Sequence, residues 1–379
     1  MVQPKKYTPI AIFDQVEYLK NTPPDHLETS FLRDYEIAKQ FLLSYQHNAA
    51  TFTTYRREIE RLCQYSWFMK QQSFIALTRQ DIESYLGFCQ KPPVEWIGTK
   101  TVARFFTHNG ERRANPEWRP FTVHLAKQDR YQGKRPNKNL YCLSEKALKE
   151  IFVILNGFYT FLLQEEIASV NPIAQIKQKN RFYRVHQGKT KIRRISELQW
   201  RYVLETAERM ATQEPEKHER TLFILTVLYG LYLRISELVA SPRWTPTMND
   251  FEKDHQDHWW FVTVGKGNKE RRIAVSPFVL EALKRWRRFL RLSPEVPTIN
   301  DQSPLISKQR GQGPVTDTRH IRRIMQNCFG QAGQRLRQEG YAYDADALVH
   351  ATVHWLRHTG ISDDVKFRPR EHVRDDAGH

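Results

Sequence analysis

Paired cysteines are missing from this sequence of 379 residues. Cys63, Cys89, Cys142 and Cys328 stand far apart with no C-x-x-C unit, which excludes a disulfide framework and a zinc ribbon and leaves four reduced, mostly buried thiols as the expectation. Long hydrophobic runs are missing as well. The longest apolar stretch, Leu222 to Leu233, falls short of the roughly 20 residues a membrane helix needs, and the opening Met-Val-Gln-Pro-Lys-Lys lacks a signal-peptide core. No membrane partner and a cytoplasmic location are expected. Acidic residues are scarce: 42 Asp and Glu face 59 Lys and Arg, a net charge of +17 and a pI near 9.7. Such an excess favours a polyanionic partner, with nucleic acid first. His354 and His358 stand one helical turn apart, but no glutamate completes an H-E-x-x-H motif and no third ligand is evident, so no metal is expected. Finally, no tyrosine follows Arg357.

What is present suggests two domains. Residues 1–28 carry four prolines and little periodicity and read as a mobile N-terminal arm. Residues 29–178 read as a helical domain. In it, Tyr55, Ile59, Leu62 and Cys63 share one helical face while Arg57, Glu60, Arg61 and Gln64 look outward. Thr78 with Asp81 opens a second helix, and Ser144 caps a long third one that ends before Asn171-Pro172. Residues 91–140 break up on repeated prolines and form an insertion. Its Trp96, Phe105, Phe106, Trp118 and Phe121 argue for packing rather than disorder, with Lys100, Arg104, Arg112 and Arg113 available to face DNA. From Lys177 to Arg194 there are eight Lys or Arg and no acid, so residues 179–194 read as a basic linker suited to phosphates. Residues 195–379 form the second domain. Ser196 with Gln199 opens a helix to about Thr212, and another is expected from Glu219 to Val239. Two strands, Trp259 to Gly265 and Glu270 to Val275, flank a lysine-bearing turn; a basic helix then starts at Ser276-Pro277, and further helices follow near 316–338, 352–365 and 369–377.

The chemistry of the second domain is phosphoryl chemistry. Breaking a phosphodiester without a metal needs cations on the non-bridging oxygens, an acid for the leaving oxygen, and a nucleophile. Arg234 and Arg357, expected on two helices, suit the first task through bidentate, permanently charged contacts. Lys266 at the hairpin tip suits the second, because neighbouring guanidiniums lower its pKa. His354 lies at i,i+3 from Arg357 and shares its face. Glu237, at i+3 from Arg234, is placed to hold that arginine rather than react, and His379 can donate to a phosphate oxygen. Arg56, Arg57, Lys100, Arg104, Lys191, Arg193, Arg194 and Lys269 are the candidate DNA contacts.

Leu-Arg-Ile-Ser-Glu-Leu around Arg234, Gly-Lys-Gly-Asn-Lys-Glu-Arg around Lys266, His-Trp-Leu-Arg-His-Thr around Arg357 and the terminal Ala-Gly-His together resemble the catalytic domain of the tyrosine recombinases, the phage integrase and Xer family. The helices between Thr51 and Cys89 and from Ser144 to Gln164 resemble the family's core-binding domain more loosely, and the 91–140 insertion departs from compact members. The resemblance implies a mainly α fold with a small β-sheet, arranged as a two-domain DNA clamp. It implies site-specific cleavage and rejoining of double-stranded DNA through a 3′-phosphotyrosine, without cofactors, by a homo-tetramer on synapsed DNA. Integration, excision or resolution of a transposon or other mobile element is the expected role. The family's nucleophilic tyrosine is expected beyond His379, so the sequence reads as C-terminally shortened and inactive in cleavage. Two rivals stand: a type IB topoisomerase, which relaxes any duplex, and a DNA-binding protein that does not cleave.

Overall fold

Helix starts follow the side-chain chemistry of the sequence. In the computed structural model, which describes residues 7–19, 27–125, 129, 133–176, 193–265, 269–293 and 300–378, Thr78 Oγ1 accepts from the Asp81 amide at 3.3 Å and the Asp81 carboxylate accepts from the Thr78 amide at 3.0 Å. Ser196 and Gln199 form the same reciprocal pair, and Ser144 accepts from the Ala147 amide. Each satisfies donors that a helix start leaves open. The fold is mainly helical with small sheets, and the chain divides into two units, Met1–Gly188 and Lys189–His379, each with its own core.

The first unit contains α1 (Val16–Leu19), α2 (Leu32–Leu43), α3 (Ala49–Gln64), α4 (Arg79–Gln90) and α5 (Glu145–Gln164). Its insertion packs through Trp96, Trp118 and Phe121, all buried. There β1 (Ile97–Gly98) pairs in parallel with β4 (Phe121–Thr122), and β2 (Phe105–His108) pairs antiparallel with β3 (Glu111–Ala114). Asn109 and Gly110 link β2 to β3 with φ of 50° and 82°, the two positive angles of a two-residue hairpin turn.

Two expectations for this unit need correction. Residues 7–19 are not a free arm: Ile12, Phe13 and Leu19 are buried, Tyr7 stacks on Phe68 at 4.1 Å, and Phe13 stacks on Tyr35 at 5.2 Å. Their partners lie far along the chain, so no local periodicity announces them. Nor do Glu60, Arg61 and Gln64 look outward from α3; all three are buried. The 10–14 segment and the insertion cover that face. Glu60 accepts from the Ile12 amide, Gln64 Nε2 donates to Ile10 O at 3.0 Å, and Arg61 Nε donates to Pro120 O at 3.0 Å.

The second unit runs α6 (Glu197–Gln213), α7 (Pro215–Gly230), β5 (Phe251–Lys253), β6 (Trp259–Val264), β7 (Glu270–Ala274), α8 (Pro277–Phe289), α9 (Thr318–Gln338), α10 (Ala342–Val349), α11 (Val353–Asp364) and α12 (Arg370–Ala377). The strands form one antiparallel sheet in chain order, with β5 and α10 additional to the elements expected. The helix expected to reach Val239 stops at Gly230. A Cβ there would meet Val279 Cγ2 at 2.4 Å, and Tyr232 turns the chain with φ of 48°. Arg234 is therefore extended backbone ahead of a short 3-10 turn, Ile235–Glu237, rather than a helical residue. The end of α7 also receives α11 at very close range, since a Cβ on Gly360 would sit 2.0 Å from Tyr229 O.

Candidate active site

Glu237 organises the site. Its Oε2 accepts from the Arg234 amide at 2.7 Å, capping the 3-10 turn, and its Oε1 accepts from Arg234 Nη1 at 3.1 Å. Arg271 on β7 closes on the same carboxylate from the other side, with Nη1 and Nη2 each donating at 2.8 Å. The Glu237 carboxyl is buried, which alone would raise its pKa, but the hydrogen bonds and charge of Arg271 and then those of Arg234 hold it below the usual carboxylate range. The carboxylate stays ionised and its two arginines stay oriented. Exposure rises outward through the cluster: the side chains of Glu237, Arg271 and Arg234 are 3%, 9% and 28% accessible. Arg234 is thus the member that meets solvent and whatever ligand solvent brings.

Arg357 enters from α11. It donates Nη1 to Tyr232 O and Nη2 to Ala377 O, the backbone segments beside Arg234 and at the end of α12. Its residue is 1% exposed. Burial, with Arg234 and Arg271 adding repulsion, brings its pKa down to about 10, so it remains charged at neutral pH. His354, exposed on the same helix, has its pKa lowered by partial burial and then by His358, Arg357, Arg234 and Arg193. His354 and His358 meet edge to face with centroids 4.3 Å apart. No third His, Cys, Asp or Glu joins them in a metal-holding group among the described residues.

The C-terminal helix is tied to this centre. Arg271 Nε donates to Asp376 O at 2.9 Å, Arg368 Nη2 donates to the Asp376 carboxylate at 2.7 Å, and Tyr232 hydroxyl bonds Asp364. Gly378 closes α12 at φ of 68°, where a Cβ would crowd Arg271 Cδ at 3.1 Å. Gly265, the residue before Lys266, lies over the cluster: a Cβ would stand 2.9 Å from Arg271 Nη1 and 3.3 Å from Arg234 Nη1. Both positions need glycine because the guanidiniums approach the backbone.

Arg234, Glu237, His354 and Arg357 are brought together; Lys266 and His379 lie outside the described residues. Arg271, the last residue of the Gly-Lys-Gly-Asn-Lys-Glu-Arg stretch, is a member of the cluster to which the sequence reading assigns no role. It shares a face of β7 with the buried Ile273, and an arginine on the inward face of a strand requires a buried acid.

The candidate DNA contacts divide. Arg193, Arg194 and Lys269 are exposed, and the charge of Arg193 reaches His354. Lys191 lies outside the described residues. Lys100 is exposed but paired with Glu117 at 2.8 Å, and Arg57 is paired with Glu58 and with Glu150. Arg56 and Arg104 are turned inward, contrary to expectation. Arg56 is 8% exposed and donates to Asp14 O at 2.7 Å; Arg104 pairs with Glu60 and lies 4.4 Å over the Trp118 ring. The 10–14 segment consumes Arg56, and the packing of the insertion onto α3 consumes Arg104.

No protein-family model matches the chain. Its sequence is 26% identical over 285 residues to the tyrosine recombinase XerC of Alcanivorax borkumensis strain SK2, covering 69% of this chain and 78% of that protein. The XerC of Pediococcus pentosaceus is 26% identical over 168 residues, 44% of this chain and 46% of the relative. Among solved structures, the XerH site-specific recombinase in its post-cleavage complex with palindromic difH substrate superposes with a TM-score of 0.54 at 16% identity, over 93% of this chain and 84% of that one. The chain has the tyrosine-recombinase fold.

Proposed function

We propose that this protein is a site-specific DNA recombinase that cleaves and rejoins double-stranded DNA through a 3′-phosphotyrosine. The observation that carries this is the convergence of Arg234, from the turn after α7, with Arg357 and His354, both from α11, around a carboxylate, Glu237, that orients rather than reacts. Two guanidiniums neutralise the non-bridging oxygens of one phosphate. His354, kept neutral by the surrounding cations, accepts a proton from the attacking hydroxyl; a phosphate in the site offsets those cations and raises its affinity for that proton. Lys266 protonates the leaving 5′ oxygen. The attacking group, in this reading, is a tyrosine hydroxyl, and the protein works as a homo-tetramer. The first unit and the basic residues up to Arg194 hold the duplex by its phosphates.

The test is to express the protein from its full gene and capture detergent-resistant protein–DNA adducts from sheared DNA of the source organism. Adducts clustered at one short sequence, and abolished in Arg357→Ala, are expected. Adducts spread over unrelated sequences would indicate topoisomerase-like nicking instead, and a full gene product that forms none would overturn the cleavage reading.

A further inference from the structure

The second unit has a cationic cavity that shares no residue with the cluster around Glu237. It measures about 820 Å³ and lies between the start of α7, the turn at 307–314 and the start of α9. Lys217 and His218 line it from α7, Lys308 and Arg310 from the turn, and His320 and Arg323 from α9. The turn is built to present its cations. Ser307 bridges to Pro314, Lys308 N donates to Gly313 O at 2.9 Å, Gly311 and Gly313 adopt φ of 82° and 87°, and Gln309 Nε2 ties the turn to Glu216 O at 3.3 Å. The acid in the wall, Asp317, is already committed: it caps α9 by accepting from the Arg319 amide at 2.8 Å and from Arg319 Nε at 3.1 Å.

Arg220 makes this more than a basic surface. It sits on α7 between the lining residues Lys217 and Thr221, is only 8% exposed, and its Nε has no hydrogen-bond partner. Its neighbour Glu219 is engaged with Arg285, whose Nε donates at 2.9 Å, and no ion pair forms to Arg220 among the described residues. Arg220 stands behind the lining residues, and its charge reaches His320 in the wall: burial and then Arg220 keep that imidazole's pKa low. A buried cation with no acid is costly unless something anionic completes it.

We propose that this cavity binds phosphate above Arg220, and that the phosphate is a backbone phosphate of the DNA other than the one being cleaved. The anion chemistry stands on the cavity alone; the DNA source rests on the function proposed above.

The full chain is compared with Arg220→Met and with the double variant Lys308→Ala, Arg310→Ala, whose side chains are exposed and which tests the same cavity if the first variant fails to fold. Pyrophosphate should raise the Tm of the parent protein and not that of Arg220→Met. Affinity for duplex DNA should fall about tenfold in Arg220→Met, and the log–log salt slope should shrink by about 1 for each phosphate that is no longer neutralised. A pyrophosphate shift with unchanged duplex affinity in both variants would overturn the DNA source and keep the anion site. A parent protein that is stabilised by pyrophosphate but binds no duplex would refute the recombinase reading while leaving the cavity's chemistry in place. No Tm shift and no change in duplex affinity or salt slope would overturn the proposal.

Discussion

Two arginine–carboxylate clusters, one in each unit, use the same residue types to opposite ends. In the first unit, Glu60 with Arg104 and Asp14 with Arg112 are closed in by backbone: Phe13 O and Asp14 O accept from Arg104 and Arg56, and the insertion lies over α3. In the second, Glu237 is gripped by Arg271 from beneath and leaves Arg234 partly open. What separates Arg104 from Arg234 is how many acceptors surround the guanidinium. Arg104, met by a buried acid and a carbonyl, holds the chain together; Arg234, backed by a carboxylate on one edge and open on the other, is preset to take a phosphate.

The comparison breaks most sharply at its centre. Glu237→Ala leaves Arg271 buried beside Arg234 without a counter-charge, and removing one partner from such a pair costs about 3–5 kcal/mol. Urea unfolding of the full chain should show that cost in the second unit's transition. A cost under about 1 kcal/mol would mean that the cluster is solvated and not a preset frame. Next in size is Gly360→Ala. Its Cβ runs into Tyr229 O, so α11 must lift from α7, at roughly 1–3 kcal/mol for overpacking. Because α11 carries His354 and Arg357, affinity for duplex DNA should fall further than the reduced stability accounts for. Unchanged affinity in the folded fraction would argue against the close approach of α11 to α7 as the device that positions Arg357.

A third experiment sharpens the division between the clusters. Arg234→Met should weaken duplex binding and reduce the log–log salt slope by about 1, as expected when one phosphate goes without its cation. Arg104→Met should destabilise the first unit yet leave the slope unchanged, since its guanidinium already pairs with Glu60. An equal drop in slope for both variants would erase the distinction between a structural and a phosphate-binding arginine.

Much of this architecture is legible in the sequence where the signal is local. The caps at Thr78, Ser144 and Ser196 and the strands either side of Lys266 follow from adjacent residues, and the spacing of Arg234 to Glu237 and of His354 to Arg357 is enough to foresee the pairs. What is illegible depends on distant partners. The 7–19 segment is ordered by Phe68, Tyr35 and Glu60, and the burial of Arg56 depends on Asp14. The need for glycine at Gly230 depends on Val279, and the chain turns past α7 on the positive φ of Tyr232; helical periodicity within α7 reveals neither. Arg271 and the Asn109-Gly110 hairpin are a different case: strand alternation and a two-residue turn motif are both present in the sequence, but each carries weight only once the surrounding strands are accepted.

The smallest expected effect concerns His354, and it tests the electrostatics of the site directly. Four cationic or titrating neighbours, His358, Arg357, Arg234 and Arg193, join partial burial in lowering its pKa from 6.5. Folded and unfolded chains therefore differ: as pH falls below 6.5 the unfolded state takes up this proton first, so the contribution of neutral His354 is present above that pH and lost through the window beneath it. An NMR titration, with the His354 resonance assigned through His354→Gln, should give a midpoint below 6.5. Adding a duplex should move the midpoint upward, because phosphate oxygens offset the guanidiniums that hold it down. In Arg234→Met the free-protein midpoint should rise and the duplex-induced shift should shrink. The Glu60–Arg104 cluster predicts no such response, so an identical shift in Arg104→Met would show that the histidine senses net charge rather than the arginines converging on it.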